Sequence, residues 1–204
     1  MLEVLTGAGL ASAAGLNAYV PLLAVGLIAR YTDLLPLSGA WQWLENPVVL
    51  VVVGLLLAVE LVADKVPAVD SVNDVLQTFV RPTSGGITFG AGASAVTVTD
   101  GLGAAAEADG GSWWPVAAGV LIALALHAVK ALARPVLNVA TGGVGAPVVS
   151  TAEDAASTVL ALLAILVPLI VLAVLPLSAV FALWVWRARR RRRRRRAVER
   201  DAAA

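Results

Sequence analysis

Hydrophobic positions fall in long uninterrupted runs joined by short polar connections, and one stretch between them alternates polar and apolar faces at helical spacing. The first run, residues 5–29, is long enough to cross a hydrocarbon layer of about 30 Å at about 1.5 Å per residue. Asn17, Tyr19 and Pro21 interrupt it. A proline inside a helix removes a backbone donor and kinks it, which lipid tolerates where neighbouring groups satisfy the freed carbonyl, so the pattern predicts one kinked span packed inside a bundle. Residues 30–46 carry Arg30, Asp33, Trp41, Trp43 and Glu45 and read as a loop with tryptophans at a membrane interface. A second span is expected from Pro47 to Ala63, with Glu60, Asp64 and Lys65 at its end.

From Val66 to Pro82 the pattern changes. Val66, Val69, Val72, Leu76, Phe79 and Val80 recur near helical spacing while Asp70, Asn73 and Asp74 take another face, which predicts an amphipathic helix that does not span. Residues 83–98 are small and glycine-rich, suited to a re-entrant or closely packed helix, and 99–113 form an acidic loop. The next span runs from Trp114 to about Ala133 and carries His127 and Lys130. Residues 136–152, with Pro135 before them, Pro147 within them and a Gly142–Gly143 pair, suit a broken helix or re-entrant loop. A charge-free run over 155–186, interrupted by Pro168 and Pro176, ends at Trp184 and Trp186 before nine arginines in the next ten positions.

An apolar run closed by aromatic residues and a basic block is a stop-transfer signal and puts the C-terminus in the cytoplasm; the loop charges then sort with the N-terminus on the same side. The expected class is an all-α, polytopic integral membrane helix bundle with five or six embedded segments, some broken or re-entrant. A helical transmembrane domain covers 1–186 and an arginine-rich cytoplasmic tail covers 187–204. Residues 54–65 and 119–130 share Gly, Ala, Leu and Lys positions at an offset of 65, a weak sign of internal duplication.

Composition removes the main alternative. Hydrophobic residues make up 59% of the chain and charged ones 14%, against averages of about 45–50% and about 25% in soluble domains, which excludes a water-soluble enzyme. The formal charge of +1 hides a partition: residues 1–186 hold five Lys or Arg against twelve Asp or Glu, a net of −7, and residues 187–204 hold ten Arg against Glu199 and Asp201, a net of +8. The tail, led by Arg187, Arg189 and Arg190, is expected to lie on anionic lipid headgroups at about 1 kcal/mol per basic residue, and no nucleic-acid partner is expected. With no cysteine, a disulfide, a thiolate metal site and a thiol nucleophile are all excluded. The N-terminal stretch lacks the basic region of a cleavable signal and reads as a retained span. The abundance of Arg over Lys, with Ala, Val and Gly, suggests a bacterial plasma-membrane protein.

The chemistry lies in the polar residues that apolar surroundings should have excluded, since a charge at a helix centre costs on the order of 2.5–3.5 kcal/mol in lipid. Glu60 and Asp64 are one turn apart, with Asp70, Asn73 and Asp74 on the following segment. His127, Lys130 and Arg134 share one face of a later helix, which Asn138 and Thr141 continue. Acidic and basic faces can close into structural ion pairs or line a polar pathway. No spacing matches a metal-ligand motif, the glycine runs lack the Lys and Ser/Thr of a phosphate loop, and Ser71, Ser150 and Ser157 show no nucleophile–base arrangement.

Three strings, SAAGLNAYVPLLAVGLIAR (12–30), VELVADKVPAVDSVNDVLQTFVRP (59–82) and HAVKALARPVLNVATGGVGAPVVSTAED (127–154), resemble the bacterial membrane protein family called domain of unknown function 4126. The resemblance implies membrane integration and transfers no mechanism. It directs attention to Asn17, Glu60, Asp64, Lys65, Asp70, His127, Lys130, Asn138, Thr141, Glu153 and Asp154; the family's usual Asn after the second glycine run is Ala146 here.

The function expected is a small transporter or channel-like permease for an ion or small polar solute, with a pathway through Asn17, Glu60, Asp64, Lys65, Asp70, Asp74, His127, Lys130, Arg134, Asn138, Thr141, Glu153 and Asp154. No cofactor, metal or enzymatic activity is expected. The alternative is a non-transporting membrane scaffold or lipid-interacting protein whose buried charges are structural pairs.

Overall fold

The computed structural model describes residues 2–37, 39–65, 67–95, 113–141 and 145–168, together with positions 177, 180 and 187. Among them are six α-helices and no strand: α1 (Leu2–Leu16), α2 (Tyr19–Tyr31), α3 (Pro47–Ala63), α4 (Pro67–Ser94), α5 (Trp114–Thr141) and α6 (Gly145–Leu166), with a 3-10 turn at Gln42–Glu45. The all-helical class expected from the sequence is the one found. Trp114–Ala133 and Pro147–Leu166 are long and apolar enough to cross a membrane, and α1, α2 and α3 are shorter apolar helices.

α1 is the axis of the bundle. Every residue from Thr6 to Gly15 is buried, because this run of Ala, Gly and Ser has little side chain to hold neighbours away, and α4, α5 and α6 all pack on it. α1 runs against α4, with Gly7 beside Phe89 and the Gly15 carbonyl beside Arg81. α2 runs back the other way: Ala18 accepts from Ser84, and Trp41, beyond the end of α2, packs on Gly90. Residues 5–29 therefore form a hairpin of two helices reversing at Asn17–Ala18, not the single span kinked at Pro21 that the apolar run predicts. The start of α1 accordingly lies at the same end of the bundle as Trp41, opposite the side that the loop charges predict for the N-terminus. Asn17 makes the reversal possible, since its Oδ1 accepts from the backbone N–H of Tyr19 and Val20 at 3.0 and 3.1 Å, capping α2. At the other end of α2, Trp43 is exposed as an interfacial tryptophan should be, while Trp41 is partly buried against the core.

The amphipathic segment and the glycine-rich segment expected as separate pieces are one continuous helix, α4, with Pro82 inside it. On the turn containing that proline, the Thr83 hydroxyl donates to the Phe79 carbonyl at 2.8 Å, next to the Thr78 carbonyl that the missing N–H of Pro82 leaves without its helical donor. Gly85 and Gly119 let α4 and α5 touch backbone to backbone: a Cβ on Gly119 would lie 2.5 Å from Phe89 Cβ, and one on Gly85 2.7 Å from the Gly119 carbonyl oxygen. Pro135 does not end α5, and α6 starts ahead of Glu153 and Asp154, so both carboxylates sit on a helix and not in the preceding loop.

The surface of α4 is inverted relative to a helix in water. Phe79 is 74% exposed and Val75 and Leu76 face outward, while Gln77, Ser84 and Thr88 are buried and Arg81 is 0% exposed. α3 repeats the inversion, with Val48, Val51, Leu55, Val59 and Val62 outside and Glu60 within. Among the described residues these two helices are apolar on their exposed faces and carry buried charge within, opposite to the distribution that water selects.

Candidate functional site

The buried charges converge on the tip of the α1–α2 hairpin. Reversal there leaves the last carbonyls of α1 without helical partners, at the negative end of that helix. Two cations answer them: Arg81 Nη1 lies 3.5 Å from the Gly15 carbonyl oxygen, and Lys130 Nζ donates to the Leu16 carbonyl at 3.1 Å. Ser157 adds a second bond, at 2.9 Å, to the Ala13 carbonyl, which already accepts from the Asn17 N–H at 3.0 Å. Side chains from α4 and α5 thus do for this break what further turns of helix would have done.

Arg81 anchors one half of the network. Its Nη2 donates to Glu60 Oε1 at 3.1 Å, its Nε to Gln77 Oε1 at 3.3 Å, and its Nη1 faces His127 Nδ1 at 3.5 Å. A guanidinium has donors only, so Nδ1 is the accepting nitrogen and the ring proton sits on Nε2, which donates to Thr78 Oγ1 at 3.2 Å. Glu60 itself is 2% exposed, and its Oε2 is buried with no hydrogen-bond partner.

Lys130 anchors the other half, 2.8 Å from Glu153 Oε2 and 4.0 Å from Asp64 Oδ2. Asp64 also accepts from Asn73 Nδ2 at 2.7 Å and from Ser150 Oγ at 3.3 Å. The hairpin tip joins this half, Asn17 Nδ2 donating at 2.9 Å to Oδ1 of Asp154, the neighbour of Glu153 on α6. Among the described side chains the network holds Glu60, Asp64, Glu153 and Asp154 against the fixed cations Arg81 and Lys130.

The structure brings together Asn17, Glu60, Asp64, His127, Lys130, Glu153 and Asp154 of the pathway predicted from sequence. Lys65 stands apart from them: it is exposed and donates to the Leu61 carbonyl of its own helix at 3.0 Å, a basic residue satisfying a helix C-terminus. Lys65 and Lys130, aligned by the internal similarity, thus stand in opposite environments. Asp70 and Asp74 lie on α4 and Arg134, Asn138 and Thr141 on α5, with side chains outside the described residues, as are Arg189 and Arg190; Arg187 is exposed. Arg81, Gln77, Thr78 and Ser150 were not on the predicted pathway. The signal for the first two was present: Asn73, Gln77, Arg81, Ser84 and Thr88 follow one another at three- and four-residue steps, a polar stripe along a single helix face.

A bundle of helices with apolar exposed faces, packed around the buried ion pairs of Arg81 and Lys130, defines an all-helical protein with its charges inside. The chain belongs to the family described as Domain of unknown function (DUF4126), whose model matches residues 4–188. No curated protein and no solved structure matches the chain.

Proposed function

We propose that the chain is a multi-pass bacterial plasma-membrane protein with five or six embedded segments, and that the network at the hairpin tip is the polar constriction of a small permease for an ion or small polar solute. One observation carries this reading. A helix reverses inside the bundle, and its freed backbone groups are held by ionisable side chains from neighbouring helices, an arrangement that membrane-embedded transporters use where a solute must meet polar groups at depth. The inverted surface supports lipid as the solvent, and the arginine tail fits a cytoplasmic anchor on anionic headgroups. The reading gives the network no catalytic role.

The purified full-length protein in liposomes tests it. Wild type is expected to pass at least one of Na⁺, K⁺, Cl⁻, H⁺ or a small neutral polyol above protein-free liposomes, and Asp64→Asn to lower that flux by about tenfold or more, a barrier increase of roughly 1.4 kcal/mol. Absence of flux for every probe would remove the proposal.

The direct Arg81–Glu60 and Lys130–Glu153 contacts favour a second reading, a scaffold in which the pairs only fix helix packing. That reading expects no flux from wild type and full retention of the fold when a pair is replaced by uncharged side chains of similar volume.

A further inference from the structure

We propose that the species exchanged at this network is the proton, bound and released at Oε2 of Glu60; the proposal rests on the permease reading above. The two oxygens of this carboxyl have unequal surroundings. Oε1 is held by Arg81, while Oε2 is buried with no hydrogen-bond partner at all, although an ionised carboxylate oxygen can accept two bonds. A metal ion at such an oxygen would need several further oxygen or nitrogen ligands around it. Among the described residues no group of three or more His, Cys, Asp or Glu is placed to hold one. A proton needs none of this, because it completes its binding on one oxygen and takes up no space beyond it.

The step balances simply. Uptake converts the carboxylate to a carboxylic acid with the new O–H bond at Oε2 and the Oε1 contact to Arg81 retained; release breaks that O–H bond and restores the anion. Groups on every side register the change. Asp64 lies one turn along α3, Arg81 faces Glu60 from α4, Lys130 acts from α5, and Tyr19 faces it from α2, with His127 behind Arg81. Once Glu60 is neutral, the remaining contacts of Arg81 are the neutral acceptors Gln77 Oε1, the Gly15 carbonyl and His127 Nδ1. A buried cation that loses its contacting anion strains the groups it still holds. One of those is the last turn of α1, so proton uptake at Glu60 is coupled mechanically to the hairpin tip.

The test uses full-length protein in liposomes loaded with a pH-sensitive dye, with inward proton movement driven by a potassium gradient and valinomycin. Wild type is expected to acidify the lumen. Glu60→Gln keeps an oxygen acceptor for Arg81 and removes the exchangeable proton, so its rate should fall to that of protein-free liposomes, and Glu60→Asp should retain part of it. Circular dichroism and size exclusion in detergent establish that the variants are folded. Independently of the Gln variant, infrared difference spectra of wild type across a pH titration should contain a carboxylic-acid carbonyl band that shifts in Glu60→Asp. Proton flux through Glu60→Gln at the wild-type rate overturns the proposal, as does a wild-type titration with no such band. Wild type that carries Na⁺ or K⁺ but no protons removes the proton and leaves the permease; no flux of any probe removes both.

Discussion

Arg81 is held by four acceptors contributed by α1, α3, α4 and α5 and has no contact with solvent. Its loss should therefore cost more than its share of any one bond. Arg81→Met leaves the Glu60 carboxylate buried without its contacting cation, and removal of one partner of a buried pair typically costs about 3–5 kcal/mol. Combining it with Glu60→Gln should restore most of that loss, because neither variant residue then carries charge. Unfolding in detergent, followed by circular dichroism, measures both and gives the coupling between the two positions. At this scale part of the site is legible in the sequence. Glu60, Asp64, His127 and Lys130 stand out because they sit in or beside apolar runs where a charge is costly. Arg81 is marked only by its place on the polar stripe with Asn73, Gln77, Ser84 and Thr88, and it precedes a proline between the two segments that the pattern separates. Only its contacts show that it is the most buried cation of the network.

At the scale of elements, the decisive features are a break and a merger. The break at Asn17 turns one apolar run into two helices, and the merger joins a polar segment and a glycine-rich segment into α4. Proline position predicts neither, because Pro21 and Pro82 both lie inside helices whose packing compensates for the missing donor. Close approach of helices is what the glycines of α4 and α5 supply. Gly119→Leu would force its side chain into Phe89 and the Gly85 backbone and is expected to destabilise the protein by about 1–3 kcal/mol or more through overpacking. Gly54, on the outer part of α3, has nothing within 4 Å of its Cβ position, so Gly54→Leu should be neutral or raise stability by up to about 1 kcal/mol through helix propensity. Thermal unfolding of the two variants beside wild type separates a packing glycine from a passive one.

At the scale of the whole molecule, the described helices present aliphatic and aromatic side chains outward and keep the ion pairs of Arg81 and Lys130 within, and the two helices long enough to span contribute to that surface. The proposed lipid environment makes a specific demand on α3. Leu55 is exposed while Glu60, five residues on, is buried, so Leu55→Lys would be harmless in water but should cost on the order of 2.5–3.5 kcal/mol in a bilayer core. Recovery of the variant in the membrane fraction at a markedly lower level than wild type, with normal synthesis, is the expected outcome; equal recovery would show that α3 does not face lipid.

Read along the chain, runs of apolar residues establish the all-helical class and the places of α3 and α5, because helix length and hydropathy are local properties that each segment carries with it. The same reading marks most of the carboxylates and cations as costly and hence purposeful. Which of them meet is decided only by the fold. Reversal at Asn17, the inward turn of the α4 polar stripe and the outward turn of Lys65 depend on groups dozens of residues away, which satisfy a freed carbonyl or leave it to its own helix. Pairing of buried charge is a property of three-dimensional neighbours, and no window of sequence contains it.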